Sequence, residues 1–423
     1  MIRSADLRSV GARTFRSLHI RNYRLFFFGQ LISVTGTWMQ TVAQSWLVLN
    51  LTNSGVALGI TVALQFLPML LFGMWGGLLA DRSDKRKLLI AMQVAGGLLA
   101  LILYALVATD TVELWMVYVL AFGLGMVTMI DMPTRQSFVI EMVGPDEVPN
   151  AVGLNSAMFN LGRILGPTAA GITIATLGLA PAFLANAISF IPVIAGLMMM
   201  RPDELHRRER AQRRRGEVRA GVLYAWRQPT LRSTLLLVGV LGMFGFNFIV
   251  VLPLLAKFTF GGEAGLYSAF TALMSFGSLA GALVAAGRSK PTTGMLGGAG
   301  VAFGALMLLT SLAPTAWVAA VLLVGVGMAM MLFMATANTT LQLNSDPAMR
   351  GRVMALYGLL FAGSTPVGGP VMGWVSEAWG PRVGLGIGGA LSLAAALAAV
   401  GRIRIRRRSA APPLEAPDVI AAA

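Results

Sequence analysis

The sequence contains no cysteine and only two histidines, His19 and His206. Without cysteine there is no disulfide framework, no thiolate nucleophile and no zinc–cysteine site, and two histidines leave little from which to build a metal centre or a serine–histidine triad. The glycine-rich loop of ATP-binding proteins, which ends in lysine followed by serine or threonine, is also missing. We therefore predict a protein that is not an enzyme and binds no metal or cofactor.

Charged side chains are scarce as well. They make up 12% of the 423 residues, whereas hydrophobic residues make up 56%. A soluble domain carries about 25% charged residues because its surface faces water. A chain of this length with so few charges needs another solvent, and the lipid bilayer provides one. The composition predicts an all-α polytopic membrane protein.

Apolar segments long enough to cross a bilayer, which takes about 20 residues, recur twelve times along the chain. Three of them, predicted at Leu114–Met132, Ser233–Ala256 and Val353–Val375, are the fourth, seventh and eleventh spans. The spans divide the chain into a basic arm (1–24), a six-helix half (25–200), a basic linker (201–232), a second six-helix half (233–401) and a tail expected to be disordered (402–423).

Lysine and arginine are distributed unevenly between the two sides of the predicted bundle. With the N-terminus inside, 30 of the 33 fall on the inner side, as expected for cytoplasmic loops. Both termini are therefore predicted to be cytoplasmic, in a cell (inner) membrane. The run from Arg207 to Arg215 could suggest a nucleic-acid partner, but it lies between the sixth and seventh spans. A basic loop at that place is expected to face anionic lipid headgroups.

The two halves repeat one feature. Gly166-Pro167 in the fifth span is followed by Gly171, and Gly369-Pro370 in the eleventh span is followed by Gly373. An offset of half the chain indicates two related six-helix halves. Two related six-helix halves are one known architecture of membrane transporters, in which the substrate site lies between the halves near the membrane midplane.

The loop after the second span reads G-L-L-A-D-R-S-D-K-R-K from Gly77 to Lys87. It resembles the signature loop of the major facilitator superfamily, with Asp84 where that family usually has glycine. The resemblance implies a latch that holds the cytoplasmic side closed against the eleventh span. The implied latch residues are Gly77, Asp81, Arg82, Lys85, Arg86 and, at the end of the fourth span, Asp131. A plain charged hairpin is the alternative.

Glycines of the fifth span form a second motif. Gly153, Gly162, Gly166-Pro167 and Gly171 resemble the antiporter motif of facilitator drug exporters, although ordinary glycine-rich helix packing would give a similar pattern. Further segments that include Asp131, Arg163 and Arg350 resemble the branch of enterobactin-type siderophore exporters and macrolide exporters. The resemblance covers most of the chain and implies the major facilitator fold and export of a small molecule.

Two charged residues are candidates for coupling transport to protons. On the predicted spans Asp131 is the one acid that borders the hydrocarbon, so it is either a proton carrier or the acidic partner of Arg82, Lys85 or Arg86. Arg163 lies alone within a span. It either binds an anionic substrate group, keeps a nearby acid charged, or bonds backbone carbonyls.

Polar side chains in the first, seventh and eighth spans predict a substrate cavity lined by Gln40, Gln44, Asn247 and Ser275, with helix packing as the alternative role of each. Amides beside aromatic residues suit an amphipathic small molecule. We predict a monomeric, proton-coupled antiporter that exports such a molecule. A solute importer or lipid-handling facilitator, and a non-transporting sensor or scaffold, are the alternatives.

Overall fold

The computed structural model describes residues 15–206, 217–287 and 293–409, and this part of the chain is helical and contains no strand. The predictions for the N-terminal arm before residue 15, the Arg207–Arg215 run and the tail beyond Ser409 lie outside the described residues. The helices are α1 (Arg21–Thr52), α2 (Gly55–Arg82), α3 (Lys85–Ala108), α4 (Leu114–Val143), α5 (Val148–Leu177), α6 (Ala180–Met198), α7 (Glu217–Arg227), α8 (Pro229–Val240), α9 (Phe248–Leu254), α10 (Ala264–Ala286), α11 (Thr293–Ser311), α12 (Ala316–Leu343), α13 (Pro347–Gly363), α14 (Thr365–Trp379) and α15 (Pro381–Ser409).

These helices form twelve spans in two six-helix halves. Nine spans of the described chain are long and apolar enough to be recognised by length and composition alone. The remaining three are α1, α5 and the pair α13–α14, whose sequences contain more polar and small residues. These three also pack against helices of the other half or line the space between the halves. Their lower hydropathy therefore reflects a position inside the bundle.

The fourth span is longer than predicted. The prediction ended it at Met132, whereas α4 continues through Pro133 to Val143. Pro133 has no N–H to donate to the carbonyl of Met129, and this carbonyl lies against Gly76 of α2, where an added Cβ would be 2.5 Å from the oxygen. Asp131 consequently lies inside a long helix and not at its end.

The seventh and eleventh spans are broken, which the prediction of two continuous segments missed. Between α8 and α9 the chain forms a wide turn in which Phe246 N–H donates to Leu241 O at 2.9 Å. The Asn247 amide closes this turn by donating to Met243 O at 2.7 Å. The eleventh span is interrupted at Ser364, where α13 ends. The next helix, α14, starts at Thr365 and has a proline in its first turn. Broken spans of this kind are typical of transporters.

Candidate substrate cavity and the closed end of the bundle

The two ends of the helix bundle are named here by their loops. The basic end carries the loop from Arg82 to Lys87 between α2 and α3, and the opposite end carries the turn from Thr52 to Gly55 between α1 and α2.

A cavity of about 140 Å³ lies between the two halves. Both halves contribute to its wall, which is mainly aromatic and aliphatic. The lining residues are Trp38, Thr41 and Val42 of α1, Arg163 of α5, Phe246, Phe248, Ile249 and Leu252 of the seventh span, Tyr267, Thr271, Met274 and Ser275 of α10, Met330 and Met334 of α12, and Phe361 of α13. An apolar wall with a few polar groups is the usual composition of a small-molecule site.

Arg163 supplies the charge of this cavity. Its guanidinium carbon lies 5.2 Å from the centre of the Trp38 ring, in a cation–π arrangement. Its Nε atom is buried and makes no hydrogen bond with any residue that the structure describes. The cavity therefore combines an aromatic wall with an arginine that lacks an acidic partner in the described chain.

At the opposite end the halves pack backbone against backbone. A Cβ added at Gly59 of α2 would lie 2.5 Å from the carbonyl oxygen of Gly369, at the start of α14, and one at Gly55 would lie 2.6 Å from that of Gly373. Only glycine permits this approach, because any side chain would meet main-chain atoms that cannot move aside. The second and eleventh spans thereby close this end of the bundle.

Polar groups reinforce the closed end. The Glu377 carboxylate accepts hydrogen bonds from Ser54 Oγ at 2.6 Å and from the Val56 N–H at 2.9 Å, so the end of α14 is bonded to the start of α2. Nearby, Lys257 Nζ donates to the Leu49 carbonyl at 3.1 Å. Both contacts join the first half of the chain to the second.

The glycine motif of the fifth span divides into three kinds of position. Gly162 and Gly166 face α1, and a Cβ at Gly166 would lie 2.7 Å from Thr35 O. Gly171 faces the other half, where a Cβ would lie 2.8 Å from Ser268 Cβ. No described atom comes within 4 Å of the Cβ position at Gly153. Pro167 is buried inside α5, which remains helical through it.

At the basic end, the predicted latch residues Lys85 and Arg86 contact the first half of the chain. Lys85 forms an ion pair with Glu141 of α4. Arg86 donates to the carbonyls of Leu197 at 2.6 Å and Met198 at 2.8 Å. Each of these acceptors belongs to the half that contains the loop, so both cations brace that half.

The other predicted latch residues of α2 differ in exposure. Asp81 and Arg82 are exposed at the end of α2, while Gly77 is half-buried one turn earlier. Asp84, the departure from the family pattern, caps α3 by accepting a hydrogen bond from Lys87 N–H at 3.1 Å, with an ordinary φ of −66°. The turn therefore needs no glycine at this position.

Asp131 is buried in the middle of α4. Its Oδ1 accepts a hydrogen bond from Gln93 Nε2 at 2.8 Å, and its Oδ2 lies 3.7 Å from Arg135 Nε. Ser33 Oγ donates to Gln93 Oε1 at 3.5 Å and extends the network to α1. The acid that meets Lys85 is Glu141, so the structure separates Asp131 from that predicted partner.

The predicted cavity residues are scattered. Ser275 lines the cavity, whereas Gln40, Gln44 and Asn247 are buried elsewhere. Gln40 accepts a hydrogen bond from Asn186 at 2.6 Å inside the first half. Asn247 donates a hydrogen bond to the Met243 carbonyl within its own span. Sequence reasoning missed the cavity hydroxyls of Thr41 and Thr271.

Charged and amide residues away from the cavity were also missed. The residues that belong to the contacts described above are Gln93, Glu141, Lys257 and Glu377. Except for Glu141, which lies nine residues beyond Met132, each is within a predicted span or within two residues of its end. The one sequence signal that could have indicated them is a polar residue adjoining a long apolar run.

Twelve spans arranged as two six-helix halves around a central cavity are the architecture of a secondary membrane transporter. A family model described as a transmembrane secretion effector matches residues 12–420. The chain belongs to this family of major facilitator superfamily transporters.

Curated relatives include transporters of several kinds. The chain is 28% identical over 374 residues to the multidrug efflux pump Tap of Mycolicibacterium fortuitum, covering 84% of this chain and 89% of that one. It is 28% identical to the staphyloferrin A transporter of Staphylococcus aureus over 40% of this chain and 42% of the relative. The enterobactin exporter EntS of Citrobacter koseri is 27% identical over 41% and 42%. The chain thus spans about two fifths of the last two relatives.

Solved structures share the fold at low sequence identity. The nucleoside transporter NupG superposes with a TM-score of 0.69 at 15% identity and covers 92% of this chain and 99% of that one. A bacterial homologue of the lysosomal transporter Spinster, in an inward-facing and unoccupied conformation, gives 0.67 at 14% identity over 91% and 94%. At such identities the likeness shows the fold alone.

Proposed function

We propose that this transporter is a secondary active exporter of amphipathic small molecules that works by alternating access. The observation that carries the proposal is the combination of a central cavity with a bundle that is closed by inter-half contacts at the opposite end. A cavity between two rigid halves can face either side in turn if the halves rock about it.

The closed end is proposed to be the outer one. The basic end contains the arginines and lysines of the α2–α3 loop, and such residues are retained in the cytoplasm. Both termini then lie in the cytoplasm and the protein spans the cell (inner) membrane as a monomer. In this orientation the Gly59–Gly369 contact and the Glu377 hydrogen bonds would seal the outer side, and we infer an inward-facing state.

Export, in preference to uptake, is supported by the relatives and by the fifth span. The relative that matches along most of this chain carries the name of an efflux pump. Gly166 and Gly171 of the antiporter-like motif lie at close helix contacts, one with α1 and one with α10 of the other half. Gly171 therefore lies at the contact between the two halves, which would move relative to each other during export.

Proton coupling is proposed to involve Asp131. A carboxylate buried in a spanning helix is a usual proton carrier in transporters. Asp131 is buried in α4, where its carboxylate contacts the Gln93 amide at 2.8 Å and lies 3.7 Å from Arg135 Nε. The alternative role is structural, with Asp131 holding α3 and α4 together through Gln93.

Accumulation measurements in an efflux-deficient bacterium test the proposal. The chain is expressed in such a strain, and a panel of fluorescent amphipathic compounds is followed inside the cells. We expect lower accumulation of some panel members, reversed by a protonophore that collapses the proton gradient. Higher accumulation in the expressing strain would indicate an importer. Unchanged accumulation of the whole panel, with the protein present in the membrane, would favour a sensor or scaffold.

A further inference from the structure

Arg163 is the charged residue among the described residues that line the central cavity, and no acid lines the cavity with it. The Arg163 side chain is half-buried, with its Nε atom enclosed. An enclosed cationic group without a carboxylate costs free energy, because it loses hydration and gains no counter-charge. The Trp38 ring offsets part of this cost through the cation–π contact at 5.2 Å. The N–H donors of Arg163 are not satisfied by this contact, since a ring face attracts the positive charge but offers no lone pair in the plane of the guanidinium.

The neighbouring hydroxyls do not supply the missing acceptors. Thr41 Oγ1 donates to Thr37 O at 2.9 Å, Thr271 Oγ1 to Tyr267 O at 2.9 Å, and Ser275 Oγ to Thr271 O at 2.8 Å. Each hydroxyl proton is therefore used within its own helix. The described residues bond none of these oxygens to Arg163. Thr41 Oγ1, on a half-buried side chain, can still accept a hydrogen bond from a ligand.

This arrangement defines what the cavity can bind. We propose that Arg163 binds an anionic group, a carboxylate or an acid of similar geometry, on a substrate whose remaining surface is aromatic or aliphatic. A carboxylate would match the planar guanidinium through paired hydrogen bonds. Ring systems would pack against Trp38, Phe246 and Phe361, and a hydroxyl or amide donor on the substrate would reach Thr41. The inference names a substrate class for the proposed exporter and rests on that function only for its direction of transport.

A matched pair of probes tests this inference by binding alone. Dansylglycine and dansylglycinamide share one fluorophore and differ in that the first carries a carboxylate and the second a neutral amide. The full-length protein in lipid nanodiscs is titrated with each probe, and energy transfer from tryptophan to the dansyl group reports binding. We expect the acid to bind wild type at least about tenfold more tightly than the amide, as charge-assisted hydrogen bonds to a buried cation imply.

Substitutions of Arg163 test whether the preference for the acid depends on its guanidinium group. Arg163→Gln should lower the affinity for the acid at least about tenfold and so abolish the preference for the acid, and Arg163→Lys should retain part of the preference. Arg201→Gln is the control, since Arg201 is exposed in an ion pair with Glu204 outside the cavity, and it should behave as wild type. Equal affinities of wild type for the two probes, or no binding of either, would overturn the inference.

Thermal unfolding separates a binding role from a structural one. Removal of a half-buried charge that has no acidic partner among the described residues should leave the unfolding temperature of the empty protein unchanged or higher, so Arg163→Gln should not be less stable than wild type. A marked loss of stability would show that Arg163 serves packing and would contradict the inference. Transport is not needed for either readout. Acid-selective binding without export would remove the proposed function alone, and export without acid selectivity would remove this inference alone.

Discussion

The carboxylate of Glu377 accepts a hydrogen bond from the Ser54 hydroxyl at 2.6 Å and so connects the last turn of α14 to the first turn of α2. Its second bond, from the Val56 N–H, satisfies one of the free donors at the start of α2, where a negative charge is also favoured by the helix dipole. The contact joins the two halves at the end that is closed. Its loss should therefore shift the protein towards the state in which this end is open.

Glu377→Ala is predicted to make the cavity accessible from outside. The native chain has no cysteine, so Thr41→Cys places a single thiol in the cavity wall at a partly exposed position. Its reaction with a membrane-impermeant maleimide added outside intact cells should become a few-fold faster when Glu377→Ala is added, because the charge-assisted bonds to α2 are gone. Glu113→Ala is the control, since Glu113 lies at the same end but bonds Trp115 within its own half. Equal rates in all three proteins would exclude a gating role for Glu377.

The glycine motif of the fifth span should respond unequally to alanine. Gly166→Ala places a methyl group against the main chain of α1 and should lower stability by about 1–3 kcal/mol, as overpacking does. Gly153→Ala should be neutral, because no described atom lies near its Cβ position. Unfolding temperatures in detergent compare the two variants. A loss of stability in Gly153→Ala equal to that in Gly166→Ala would show that intrinsic helix flexibility matters there, and not helix packing.

Asp131→Asn is predicted to uncouple transport from the proton gradient. Asparagine can keep the hydrogen bond to Gln93 but cannot carry a proton between the two sides. In proteoliposomes, movement of an exported panel compound driven by a pH gradient should stop, while exchange of the same compound without a gradient continues. Glu141→Gln is the comparison, since it removes another buried acid of α4. A parallel loss of both activities in Asp131→Asn would assign Asp131 a structural role.

Asp81 is exposed in this structure, which agrees with a latch that is open when the basic end is open. Asp81→Asn should accordingly leave the unfolding temperature and dansylglycine binding near wild type. It should slow export strongly, because the state with a closed basic end loses a favourable contact at the start of a neighbouring helix. Export at the wild-type rate, at matched protein levels, would remove Asp81 from the proposed latch.

The fold could be predicted from sequence because apolar length and the placement of arginine and lysine are properties of each segment by itself. The helix breaks at Asn247 and Ser364 could not be predicted from the sequence. Spanning helices often continue through glycine and proline, as α4 does at Pro133 and α5 does at Pro167. Whether such a residue breaks the helix depends on neighbours that can satisfy the freed backbone groups.

The site was predicted less completely, for a related reason. Gln40 was expected in the cavity, but the Asn186 amide, 146 residues away, bonds it within the first half. Glu141 and Glu377 were predicted to lie outside the spans, because a hydropathy pattern places the end of a spanning helix at a charged residue. In the structure each acid lies within a helix, since Lys85 is the partner of Glu141 and Ser54 is the partner of Glu377. Partners distant in sequence thus decide which polar residues remain free for a ligand, and the described residues leave Arg163 without one.

In the proposed mechanism the two halves rock about the Arg163 cavity, so that the basic end closes as the opposite end opens. Spin labels on cysteine pairs test it directly by pulsed electron–electron distance measurement. The Lys87/Ala348 pair reports the basic end and the Thr111/Glu263 pair reports the opposite end, and all four positions are exposed. With Glu377→Ala added, we predict a longer Thr111–Glu263 population together with a shorter Lys87–Ala348 population. Distances that lengthen at both ends, or that change at one end alone, would contradict alternating access.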